Sequence, residues 1–319
     1  MSFPWPRGSA TGVGSLPGVD IVEAQKTVLG ELPDLPHLAE LPARGPGADM
    51  VGRAAAMLVE LPVELYAARW RVASRPGHDL RVARDFLERD LDTLTELASE
   101  YDGAFKIQVT GPWTLAASLD LPIGGLVLRD PGAVRDLAAS LAEGVRAHVR
   151  EVQARVPRAR VLLQVDEPSL PAVLAGRVPT ESGLGNLRPV PAATARDVLS
   201  SMVFDLPTVA HCCAAAPPLA LFQAAGFAAV GVDLALVSDL DPLGSLIDEG
   251  VGLFAGVAPG SSTAIADAVK TVWGKLGFPS AQLGDQVVVT PPCGLAGSPA
   301  GRVPKTLAAY REAGQRLGE

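Results

Sequence analysis

Short apolar runs alternate with longer stretches of helical periodicity over most of the chain. Phe105-Lys-Ile-Gln-Val-Thr110 and residues 158–165, 207–211, 228–233, 251–257 and 286–290 read as strands, nearly all of them wholly apolar. Between them, apolar positions at helical spacing predict helices over 79–101, 131–155, 192–203, 217–225, 241–249, 262–277 and 302–317. Near the start, a strand over 10–14 runs into a glycine-serine turn, and Asp20 is placed to cap a helix over 21–30. Residues 31–50 are rich in proline and glycine and read as a long loop, and 57–61 reads as a buried strand carrying Glu60. Eight strands alternating with helices predict an α/β protein, a single (β/α)8 TIM barrel over residues 1–319 with no dividing linker.

In that fold the C-terminal strand ends line one mouth, where chemistry is placed. The polar residues at those ends are Ser15, Glu60, Thr110, Asp166, His211, Asp233 and Cys293. A random arrangement would scatter such groups along the strands. Here they gather at one pole.

Composition narrows the classes. Hydrophobic residues make up 48% of the 319, enough for a sizeable core. The net charge of −8 is spread without a basic tract, so no nucleic-acid partner is expected. No apolar window reaches ~18 residues, so no membrane span is expected. Three cysteines, two of them adjacent, make no disulfide framework, and the N-terminus lacks a signal-peptide core. Both point to a reducing, cytoplasmic setting.

The densest chemistry is Thr208-Val-Ala-His-Cys-Cys213. Strand alternation puts His211 and Cys213 on one face and Cys212 on the other. Cys293 arrives from the last strand and Asp233 from the strand beside His211. One nitrogen, two sulfurs and a carboxylate oxygen suit Zn2+ in tetrahedral geometry. Asp166-Glu167-Pro168 offers carboxylates for a substrate ammonium, or else a helix cap. The Gly14-Ser15 turn offers N–H groups for a carboxylate, or else is an ordinary turn. Together these describe an amino acid carrying a thiol. No general acid or base is assigned.

The sequence resembles the catalytic C-terminal barrel of cobalamin-independent methionine synthases, in the wider superfamily that includes uroporphyrinogen decarboxylase. The matching pieces are Gly12-Val-Gly-Ser-Leu-Pro17, Val109-Thr-Gly-Pro-Trp-Thr114, Gln164-Val-Asp-Glu-Pro168, His211-Cys-Cys213, Gly231-Val-Asp233 and Pro292-Cys-Gly-Leu295. They keep the family's order over nearly the whole chain. The resemblance implies zinc on His211, Cys213, Asp233 and Cys293, binding a homocysteine thiolate. It further implies that Asp166 holds the homocysteine amino group and Gly14-Ser15 its carboxylate, with Glu60 as the acid following the second strand.

Three departures bear on the donor. Asp233 stands where the family has Glu. The chain carries no additional N-terminal barrel of the kind found in the long enzymes. Val257-Ala-Pro-Gly-Ser-Ser-Thr263 lacks an Asp-x-His-like element, and Ala117 and Ser118 stand where the long enzymes place a tryptophan. The expected methyl donor is therefore not polyglutamyl folate but a smaller donor or a corrinoid protein. The alternatives are a barrel that binds homocysteine or zinc without turnover, and a metal-free decarboxylase-like barrel.

Overall fold

The computed structural model describes residues 3–319. A hairpin of β1 (Val63–Tyr66) and β2 (Arg69–Val72) precedes six strands: β3 (Ala104–Thr110), β4 (Arg160–Asp166), β5 (Thr208–Cys212), β6 (Ala229–Asp233), β7 (Gly252–Gly256) and β8 (Val287–Thr290). The six form one parallel sheet in sequence order, β3 to β8. Parallel neighbours need a crossover, and helices supply it. Ahead of β3 lie α1 (Ile21–Glu31), α2 (Met50–Met57) and α3 (His78–Ala98). After β3 come α4 (Pro112–Ala116), α5 (Pro131–Arg155), α6 (Leu170–Leu174), α7 (Ala192–Ser200), α8 (Leu219–Ala225) and α9 (Asp241–Asp248). The chain ends with α10 (Ser262–Leu276), α11 (Ser280–Gln286) and α12 (Val303–Gly318). Asp20 caps α1 as expected, accepting from the N–H groups of Val22 and Glu23.

Ahead of β3, two segments join the sheet by isolated parallel bridges rather than regular ladders. Ala10 bridges Val289, and the Thr11 N–H donates to the Val289 carbonyl at 3.0 Å. His37 bridges Lys106, and Ser15 bridges Glu40. So six of the eight expected strands form as ladders, and residues 10–14 contribute only a bridge. The expected strand at 57–61 is absent. Asp49 accepts from the Gly52 N–H at 2.7 Å and starts α2, which takes the alanine-rich run to Met57. Glu60 then lies exposed with φ 55°, in a bend. The segment beside β3 is instead 36–40, inside the stretch expected to be loop.

Strand alternation divides the core in two. Ala104, Leu162, Val209, Ala229, Phe254 and Val288 face inward and form a closed apolar layer with Trp5 and Leu35. Their sequence neighbours face the helices and join the larger cluster, and Cys212, on the same outer face of β5 as Ala210, joins it too. Moving along the inward face toward the C-terminal strand ends, the residues turn polar and stay buried: Lys106, Gln108, Gln164, Asp166 and His211. Buried polar groups need partners, and their hydrogen bonds build the site.

Candidate functional site

Asp166 and His211 are register partners at the ends of β4 and β5. His211 Nδ1 lies 2.7 Å from Asp166 Oδ1. The same oxygen accepts from Gln164 Nε2 at 2.7 Å. A carboxylate only accepts, so Nδ1 donates to it, and in the neutral ring Nε2 keeps its lone pair. That Nε2 is buried and has no partner in the protein. A carboxylate behind one ring nitrogen and an open lone pair on the other is the arrangement that orients a metal-binding histidine.

Beside it stand two thiols. Cys213 is half-buried and Cys293 exposed. The two thiols are close enough to compete for one proton, which raises Cys213 and draws Cys293 down to about 6. Cys212 packs into the outer core, where burial pushes its thiol up to about 12. The split between an inward pair and an outward Cys212 is therefore present.

The Gly14-Ser15 turn abuts the same place. The Leu295 N–H donates to the Ser15 carbonyl at 2.8 Å. A side chain at Gly294 would collide with Ser15 Oγ, so the turn sits directly on the Cys293-Gly294 peptide. Gly14 has φ +156° and Gln108 against its Cα, which leaves no room for a side chain.

The other expected residues divide. Asp233 shares the inward face with His211, but its Oδ1 accepts from the Ala235 N–H at 2.9 Å and caps the turn that follows. Among the described residues, no three His, Cys, Asp or Glu side chains already converge as a metal cage. Glu60 is not brought to the group. The acid found at the mouth is Glu40, buried, bridged to Ser15, and paired through Oε1 with Arg53 Nε at 3.2 Å. Burial raises its pKa, Arg53 and a hydrogen bond with Gln108 lower it, and Asp166 raises it again. Sequence reasoning missed Glu40 because Pro33 and Pro36 mask a segment that otherwise shows the same pattern, apolar residues followed by an acid.

Glu167 has a different task from Asp166. It accepts from the Trp113 N–H at 2.9 Å and from the Thr114 N–H and hydroxyl, both at 2.7 Å. It thus caps α4 of the neighbouring unit. Burial pushes its carboxyl up to about 7 against those three donors.

The donor set suits a borderline metal: an imidazole nitrogen without a protein partner and two thiols, one just past β5 and one just past β8. The donor chemistry of His211, Cys213 and Cys293 suits zinc, and Asp233 is committed to the Ala235 N–H.

No family model and no curated protein matches the chain. Solved structures do match in fold. A B12-independent methionine synthase from Shewanella sp. W3-18-1, in complex with selenomethionine, superposes over 98% of both chains with a TM-score of 0.64 and 13% identity. A putative vitamin-B12-independent methionine synthase from Listeria monocytogenes covers 93% of this chain and 84% of its own, with a TM-score of 0.56 and 16% identity. At such identities the likeness is one of fold. Among the described residues, no helix is long and apolar enough to cross a membrane.

Proposed function

We propose that the chain is a methionine-synthase-like, zinc-dependent methyltransferase that moves a methyl group to a thiol, with homocysteine as acceptor and methionine as product. The observation that carries this is the buried Nε2 of His211, partnerless and aimed by Asp166, beside Cys213 and Cys293. The fold shared with B12-independent methionine synthases supports it. In this reading the two bridged segments, 9–16 and 36–40, would stand for the first two strands of a (β/α)8 barrel.

His211, Cys213 and Cys293 would hold the zinc, joined by Asp233 if it leaves Ala235. Zinc would supply deprotonation of the acceptor thiol, whose free pKa of ~8.5 leaves little thiolate at neutral pH. The chain's own groups bind and orient. Asp166 and Glu40 are acids at the mouth that suit the substrate ammonium, and the Gly14-Ser15 turn suits its carboxylate. Asp166 then has two partners, an ammonium and the His211 ring. The reading assigns the methyl donor to the smaller-donor or corrinoid-protein class.

The test is methyl transfer to L-homocysteine by zinc-loaded protein. Donors are methyltetrahydrofolate, its triglutamate and a methylcobalamin-loaded corrinoid protein. Turnover with one of the non-polyglutamyl donors is expected. Ordinary enzyme rates with the triglutamate would overturn the donor assignment, and binding of homocysteine with no transfer from any donor would favour the second reading. That reading, a homocysteine-binding barrel without turnover, draws support from the capped Asp233.

A further inference from the structure

Lys106 has no exposed surface and no part in the reading given so far. Strand alternation turns it to the same face as Ala104, and it is the register partner of Leu162, both members of the apolar layer. Its ammonium donates to the Val13 carbonyl at 3.0 Å and to Gln108 Oε1 at 3.2 Å. Both partners are neutral oxygens. A buried ammonium held only by neutral oxygens is costly, and an apolar side chain of the same length would fill the space more cheaply. Burial pulls its pKa down to about 8, while Asp166 and Glu40 hold it up.

The position of Val13 suggests a use for that charge. Val13 precedes the Gly14-Ser15 turn. Its carbonyl also accepts from Gln164 Nε2 at 3.0 Å, and Gln164 holds Asp166. Gln108, the second partner of Lys106, donates its Nε2 hydrogen to the Leu38 carbonyl at 2.7 Å and fills the space behind Gly14. The turn is gripped from below by Lys106 and Gln164, from behind by Gln108, and at the mouth by Gly294 and Leu295. The Gly14 and Ser15 N–H groups have no protein acceptor among the described residues. The charged groups facing Lys106 are Glu40 and Asp166, with Arg53 behind Glu40; His37, which bridges Lys106 along the strand, is held neutral by burial.

We propose that Lys106 is the positioning residue for a substrate carboxylate: it fixes the Val13 carbonyl so that the Gly14-Ser15 turn presents its N–H groups, and it places a positive charge beneath that turn. The assignment rests on the amino-acid reading above and extends it to the group that discriminates an amino acid from a simple amine.

The test compares L-methionine with 3-(methylthio)propylamine, the same molecule without the carboxylate. Binding to the full chain is measured by calorimetry near pH 7, so no metal or turnover is needed. The unaltered protein is expected to prefer L-methionine. Lys106→Met should weaken L-methionine by about tenfold or more, the loss typical of a charge-assisted contact, and leave the amine within about twofold. Lys106→Gln, also neutral, should do the same. In the unaltered protein the preference should decline between about pH 7 and pH 9, as Lys106 loses its proton; this arm stands even if neither variant folds. A preference that survives both substitutions, an equal loss for both ligands, or a pH-independent preference would each leave Lys106 a purely structural residue and overturn the assignment. If the unaltered protein shows no preference at all, the amino-acid reading fails first and the assignment with it.

Discussion

At the scale of single residues, the site depends on a chain of hydrogen bonds more than on any one group. Val13 carbonyl, Gln164, Asp166 and His211 follow one another at 3.0, 2.7 and 2.7 Å. The last member ends in the open Nε2. Removing charge from the middle of this chain should loosen its end. Asp166→Asn keeps the shape but lets the side-chain amide donate, so the imidazole tautomer is no longer fixed. Zinc affinity is expected to fall by about 10–100-fold, as for other losses behind a metal-binding histidine. Competition with a chelator of known affinity measures it, and unchanged affinity would disconnect Asp166 from the metal. The split of Cys212 from Cys213 was readable from the period of two along a strand. The committed state of Asp233 was not, because nothing in the sequence says that its carboxylate turns to the Ala235 N–H instead of the mouth.

At the scale of elements, one contact ties the strand ends to the helical layer and another fixes two helices against each other. Glu167 crosses from the end of β4 to cap α4, and its folded pKa of about 7 lies above the ordinary carboxylate value of 4.5. The sign follows from linkage. A raised folded pKa means that the native state binds the extra proton, so this contribution is fully present below about pH 4.5 and lost as pH rises through about 7. Urea midpoints should therefore decline over that window, and Glu167→Gln should flatten the decline. An identical slope in the variant would refute the assignment. The second contact is the crossing of α5 over the end of α2. A side chain at Gly144 would collide with the Met57 carbonyl. Gly144→Ala should cost about 1–3 kcal/mol of stability by overpacking, read as a lowered denaturant midpoint. A neutral result would mean the helices slide freely. Seven helices from α3 onward (α3, α5, α7, α8, α9, α10 and α12) and the six ladder strands were legible because each apolar run keeps one period and is bounded by turn residues, whereas the short α4, α6 and α11 were not. Residues 36–40 and 50–57 were not. Pro33 and Pro36 disguise a bridged segment as loop, and Ala54-Ala-Ala-Met-Leu-Val carries no period that separates helix from buried strand.

At the scale of the whole molecule, the apolar layer with Trp5 against Phe254 packs toward the N-terminal strand ends, and the buried polar residues lie beyond it toward the C-terminal ends. That explains why chemistry-bearing residues far apart in sequence meet: Ser15 against Gly294, Glu40 against Ser15, Asp166 against His211. The placement of Asp166 and His211 at neighbouring C-terminal strand ends was legible in advance; that of Glu60 was not. The identity of the second acid was not, since it depended on which segment lies beside β3. The most direct test of the account is the metal content of the full chain, purified under reducing, zinc-replete conditions. About one zinc per chain is expected, lost when Cys293→Ser removes one of the thiols beside His211. A chain that holds no zinc under those conditions would contradict it.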